Sequence, residues 1–219
     1  MYKLYYAPTT ASLSVHWVLV HLEQAHGIKH TTLIVDFAQC AQKSEWYTAL
    51  NPKQRVPTLV VEDTGEALTE SSAILLYLAE RHPEAKLESA VGETGRIKYL
   101  ETMVFLANSL LPALRDLVYA GKDGEGGAAA EAVKDLARKK IGQVWDLLDK
   151  QLEGKEYLVR SGPTVADFLA VSVTGWFDAF EEEACKRRNV AGWVKRMKER
   201  EDWKEVRRRE DEAKSQEKQ

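Results

Sequence analysis

Hydrophobic and polar positions change rhythm along this chain at about residue 83. Before it, short apolar runs alternate with helical patterns. Residues 3–6 (KLYY) form a short apolar run that predicts a strand, broken by Pro8. From Ser12, the positions Leu13, Trp17 and Val20 follow helical spacing, which predicts a helix over 12–26 with Gly27 placed to end it. HTTLIV (30–35) is β-branched and apolar and predicts a second strand. Residues 39–50 are mixed and helical in tendency, PTLVV (57–61) predicts a third strand, Gly65 a turn, and 66–68 a fourth strand. ESSAILLYLAERH (70–82) predicts a helix stopped by Pro83. The order β-α-β-α-β-β-α makes one compact α/β layer.

After Pro83 the helical period dominates. Residues 84–93 read as a linker and 96–120 as one long helix that Pro112 should kink. GKDGEGGAAA (121–130), with four glycines in its first seven positions, predicts a loop. Residues 131–153 predict an amphipathic helix carrying Leu136, Val144, Leu147, Leu148 and Leu152. SGPTVADFLAVSVTGWF (161–177) is the most apolar stretch of this half, and one or two further helices fit in 180–206. The tail 207–219 carries both charge signs with almost no apolar face and reads as frayed or disordered. The division expected is therefore 1–83, linker 84–93, helical 94–206, tail 207–219.

Composition narrows the function classes. The 219 residues carry a formal net charge of −3, which leaves no basic footprint for nucleic acid. No run approaches the roughly 18 consecutive apolar residues of a membrane span. The N-terminus reads as a first strand rather than a signal peptide, which favours a cytoplasmic protein. Cys40 and Cys185 are far apart, so neither a dithiol motif nor a thiolate zinc site is expected, and no metal is assigned.

Four segments carry chemistry. In NPKQRVPTLVV (51–61) a proline opens a strand. Either it marks a plain strand edge, or a cis Val56–Pro57 bond leaves the Val56 N–H and C=O free to pair with an extended peptide. In LTESSAIL (68–75), Glu70-Ser71-Ser72 stands where strand gives way to helix. That is either an ordinary cap or a helix start that favours a ligand carboxylate. In YYAPTTASLSVHW (5–17), Thr9, Thr10 and Ser12 crowd a helix start. Ser12 is either a cap, or one hydroxyl faces a bound thiol. A free thiol has a pKa of about 8.5. One hydrogen bond to a charged group is worth about 1.5–3 kcal/mol, roughly one to two pKa units, so a single hydroxyl suffices to populate the thiolate. In SGPTVADFLA (161–170), Thr164 and Asp167 resemble a capping box with Asp in place of Glu. Its role is structural.

In this order and spacing, the four segments resemble the cytosolic glutathione transferase superfamily over about residues 1–206. KLYYAPTTASLSVHWVL and NPKQRVPTLV look most like its bacterial and fungal branches. The resemblance implies an α/β N-terminal thioredoxin-like domain followed by an all-α helical-bundle domain, with glutathione as co-substrate. It implies that Val56 and Pro57 hold the cysteinyl part, that Glu70 and Ser71 bind the γ-glutamyl end, and that Lys53, Gln54 or Arg55 lies near the glycyl carboxylate. Where the beta class has a cysteine this chain has Ala11, and where that class has a histidine on the fourth helix it has Leu111. A hydroxyl-activated mechanism remains, with Ser12 and Thr10 as candidates in that order, then Thr9 and Tyr6. Leu111, Arg115 and Tyr119 on one helical face, with Trp176, would line a pocket for a small hydrophobic electrophile. Arg115 could bind an acidic or phenolic group there, because arginine is rarely buried unpaired. The resemblance further implies a homodimer. Conjugation of glutathione, its transient use in isomerisation or elimination, and a non-catalytic binding module all fit these residues.

Overall fold

The structure, a computed structural model, describes residues 1–123 and 126–216. Its first part runs β1 (Tyr2–Tyr6), α1 (Ser12–His26), β2 (His30–Ile34), α2 (Glu45–Leu50), β3 (Thr58–Val61), β4 (Glu66–Thr69) and α3 (Ser71–Arg81). The sheet order is β2-β1-β3-β4. β1 pairs with β2 in parallel, Tyr2 opposite His30, as a helical crossover between them requires. β3 and β4 add antiparallel, with Tyr5 opposite Thr58 and Thr58 opposite Thr69. β1 alternates buried and half-buried positions because one face meets α1. β2 is one of the two edge strands, and Thr31, Thr32 and Leu33 are exposed in spite of their strand-forming composition. At Gly27 the backbone turns left-handed (φ 69°), and its N–H returns to the Glu23 carbonyl.

The second part is helical: α4 (Arg96–Phe105), α5 (Leu111–Asp123), α6 (Gly127–Gln151), α7 (Val165–Ser172), α8 (Asp178–Ala184), α9 (Arg188–Lys198) and α10 (Glu201–Gln216). This is the small mixed sheet domain followed by a mostly helical domain that the resemblance implied. Pro112 leaves a π turn, Leu106–Leu110, between α4 and α5. The missing proline N–H and the bulk of its ring are absorbed by widening the turn before it. Arg96–Asp123 meets the length and composition of a membrane span, which counting consecutive apolar residues missed. Its inner side, including Tyr99, Met103, Leu106 and Leu110, belongs to the protein core.

Three expectations are corrected. The loop expected over 121–130 is shorter, since α5 reaches Asp123 and α6 begins at Gly127. The part of that expectation at 124–125 lies outside the described residues. Val144 and Leu148 on α6 and Leu152 just after it point inward, but Leu136 and Leu147 face solvent. The tail is not frayed over 207–216: α10 continues to Gln216, with Val206, Glu210 and Ala213 buried at helical spacing. Residues 217–219 lie outside the described residues.

α10 closes the core over α1. Trp17 lies with ring centroids 4.6 Å from both Phe168 and Trp203. Its indole N–H donates to Asp202 (2.8 Å), which also meets His21 Nδ1 (2.8 Å) and the Arg200 guanidinium. Burial pushes the Asp202 carboxyl up, but the bonds from His21, Arg200 and Trp17 outweigh it and hold the group well below the usual carboxylate range. A side chain at Gly175 would put its Cβ 2.8 Å from the Trp203 ring and 3.1 Å from Leu13, so this contact needs glycine.

Candidate functional site

Strand register brings three separate segments to one end of the sheet. Because Tyr5 faces Thr58 and Thr58 faces Thr69, the loop after β1, the Val56–Pro57 peptide and the start of α3 are neighbours. The Val56–Pro57 bond is cis. Among the described residues neither the N–H nor the C=O of Val56 has a protein partner. The loop leading to it is held from behind. Asn51 Nδ2 donates to the Arg55 carbonyl (2.7 Å) and to Thr58 Oγ1 (2.9 Å), and the Tyr47 hydroxyl donates to the same carbonyl (2.7 Å). Sequence reasoning missed this buried network; the Asn-Pro pair at 51–52 was its only local signal.

At α3 the N-cap residue is Glu70, with φ 72° and ψ 113° and no side-chain cap. A non-glycine residue held there costs on the order of 1–3 kcal/mol, and such strain gathers at functional sites. The first-turn N–H groups, from Ser71 on, have no partner within the helix. Lys53 Nζ reaches Glu70 Oε1 (2.7 Å) and Thr69 Oγ1 (3.1 Å). Gln54, also left-handed (φ 55°), donates from Nε2 to Thr48 Oγ1 (3.1 Å), and Arg55 is exposed.

In the loop before α1, Thr9 is left-handed (φ 54°) and its hydroxyl donates to the Pro8 carbonyl (2.7 Å). Thr10 Oγ1 lies 2.7 Å from the Ala7 carbonyl and 3.0 Å from Ser12 Oγ, and accepts from the Ser12 N–H (3.2 Å). Thr10 is half-buried, whereas Ser12 has 0% of its surface exposed. Ser12 therefore presents no surface to an incoming thiol, whereas Thr10 presents some. Tyr6 is buried, its ring 4.9 Å from that of His16.

The expected second-substrate residues fall into two groups. Arg115 lies over the Tyr119 ring (5.4 Å) and pairs with Asp123. It is neither buried nor unpaired, which removes the argument that it awaits an acidic substrate. Leu111 is half-buried against the core, while Trp176 pairs with Phe180 (6.5 Å). The Trp176 indole N–H is buried without a partner among the described residues. The second part also holds the Thr164–Asp167 capping box expected from the sequence. No cluster suited to a metal ion occurs among the described residues.

The family model for the glutathione S-transferase N-terminal domain matches residues 1–80, and that for the C-terminal domain matches 103–201. The chain belongs to the cytosolic glutathione transferase superfamily. It is 27% identical over 199 residues to glutathione S-transferase GstA of Escherichia coli O157:H7, spanning 90% of this chain and 93% of that one. It is 29% identical over 210 residues to glutathione S-transferase F10 of Arabidopsis thaliana, spanning 92% and 94%. Among solved structures, a sphingomonad glutathione S-transferase complexed with glutathione superposes with a TM-score of 0.79 at 26% identity, covering 95% of this chain and 98% of that one. At the family level the chain is a glutathione transferase.

Proposed function

We propose that this transferase binds glutathione along the Val56 edge and the start of α3, and activates its thiol with the Thr10 hydroxyl for addition to a small hydrophobic electrophile. The observation that carries the reading is the pairing of an open helix start with an unpaired backbone edge at the same end of the sheet. An extended γ-glutamyl peptide needs both. Val56 would pair with the cysteinyl unit beside Pro57. The Ser71 hydroxyl and the first N–H groups of α3 would take the γ-glutamyl carboxylate, and Glu70 the adjacent amine. Lys53 pairs with Glu70 when no peptide is bound and would have to leave that pair to attract the glycyl carboxylate, with Gln54 and Arg55 beside it.

At the reacting end, Thr10 Oγ1 accepts the Ser12 N–H (3.2 Å), and its own O–H has the Ser12 hydroxyl oxygen (3.0 Å) and the Ala7 carbonyl (2.7 Å) as acceptors. Held by that N–H, Thr10 would turn its O–H from these acceptors to the sulfur. The start of α1 adds its positive end. The thiolate so formed attacks the electrophile, and its proton leaves to solvent. Conjugation, isomerisation and elimination all begin from this thiolate, so the same residues serve each. The family membership suggests a homodimer, and α4 carries Ile97, Leu100 and Val104 exposed along one stripe that such an interface would bury. Sedimentation at the mass of a single chain would contradict the dimer.

The binding half of this proposal is tested with Glu70→Gln. Loss of one charge-assisted bond to the amine is expected to raise KM for glutathione by about 10- to 150-fold. The turnover number should change little, since that bond is made equally in the ground and transition states. An unchanged KM would remove Glu70 from the site.

A further inference from the structure

The last helix looks from its composition like a solvated charge run, yet it buries an acid. Its inward stripe is Trp203, Val206, Glu210 and Ala213, at helical spacing. Glu210 has 0% of its surface exposed. One carboxylate oxygen, Oε2, accepts the backbone N–H of Thr9 at 2.8 Å. The other, Oε1, lies 3.4 Å from Nδ1 of His16, itself buried. Burying a carboxylate is expensive even when paired, and an apolar residue of similar volume would dock the helix at least as well. What an apolar residue would not do is hold a backbone N–H in the loop.

The residue held is the critical one. Thr9 is a non-glycine residue with φ 54°, a conformation that persists only when its surroundings impose it. The next residue is Thr10. The direction of its hydroxyl therefore depends on the peptide that Glu210 clamps. The surrounding groups back this clamp: from α1, His16 and Glu23; from β2, His30, 3.8 Å from Glu23; and from α10 itself, Arg209, 2.6 Å from Glu23.

We infer that Glu210 is a positioning residue of the thiol site: through the Thr9 N–H it fixes the loop that presents the Thr10 hydroxyl, making the C-terminal helix part of the active site. This rests on the proposed reading of Thr10 as the thiol partner, but the hold on Thr9 can be measured without glutathione.

The experiment compares wild type with Glu210→Leu, Glu210→Gln and Asp202→Asn. Leucine fills the same space and keeps the inward stripe apolar, but offers Thr9 no acceptor. Amide hydrogen exchange of Thr9 in the unliganded protein is expected to quicken about tenfold or more in Glu210→Leu. The thiol pKa of bound glutathione should move back towards its free value in the same variant. Glu210→Gln can still accept from Thr9 through its amide oxygen while donating to His16, so it should recover most of both properties. Asp202→Asn loosens the same helix at its start and should lower the melting temperature while leaving Thr9 exchange and the thiol pKa near wild type. Unchanged Thr9 exchange in folded Glu210→Leu would overturn the inference, as would Asp202→Asn reproducing its losses. If wild type itself leaves the glutathione pKa unshifted, the reading of Thr10 fails, and Thr9 exchange still decides whether Glu210 holds the loop.

Discussion

Replacing Asp167 with alanine is expected to cost about 3–5 kcal/mol of stability, the largest effect of any single change foreseen here. Its side chain is fully buried and accepts bonds from four donors: the N–H of Leu158 (2.9 Å), the N–H (2.8 Å) and hydroxyl (3.0 Å) of Thr164, and the Trp193 indole (3.0 Å). Alanine would leave all of them facing an apolar interior. The capping box is thus only part of its role, because the same carboxylate also ties the segment before α7 and the ring of α9 to the helix start. Thr164→Ala removes one donor and should cost only about 1 kcal/mol. Urea unfolding of both variants, read from the shift in midpoint at constant slope, checks the ratio. A loss below about 1 kcal/mol for Asp167→Ala would show that the surrounding donors find other partners.

The largest expected loss of activity follows Thr10→Ala. If its hydroxyl is the group that meets the thiolate, one hydrogen bond to a charged sulfur disappears, worth about 1.5–3 kcal/mol. That converts to a fall of roughly 10- to 150-fold in kcat/KM at neutral pH. Ser12→Ala should cost less, because Ser12 is buried and its hydroxyl only accepts from Thr10. Equal losses in the two variants would mean that the pair works as a unit.

Much of this could be read from the chain because the signals were local. A strand broken by Pro8 and followed by hydroxyls, a proline opening β3, and Thr164 with Asp167 three residues on each declare themselves within a few positions. What could not be read depends on distant partners. Nothing near Ser12 says that it is buried, since its cover comes from the rest of the fold. Arg115 looked like a waiting cation until Asp123, two turns on, was seen to match it. α10 failed the reading for a sharper reason: one of its few inward positions is an acid, so the polarity pattern that marks a buried face counts Glu210 as surface. The Tyr47–Asn51–Thr58 network was invisible for the same cause, as polar side chains that satisfy one another carry no periodic signature.

The most direct test of the central claim is the titration of glutathione bound to this transferase, following thiolate absorbance in wild type and Thr10→Ala. Wild type is expected to lower the thiol pKa from its free value by roughly one to two units, and Thr10→Ala to return most of that shift. A bound thiol that titrates at its free value in wild type, or a shift that Thr10→Ala leaves intact, would contradict the claim.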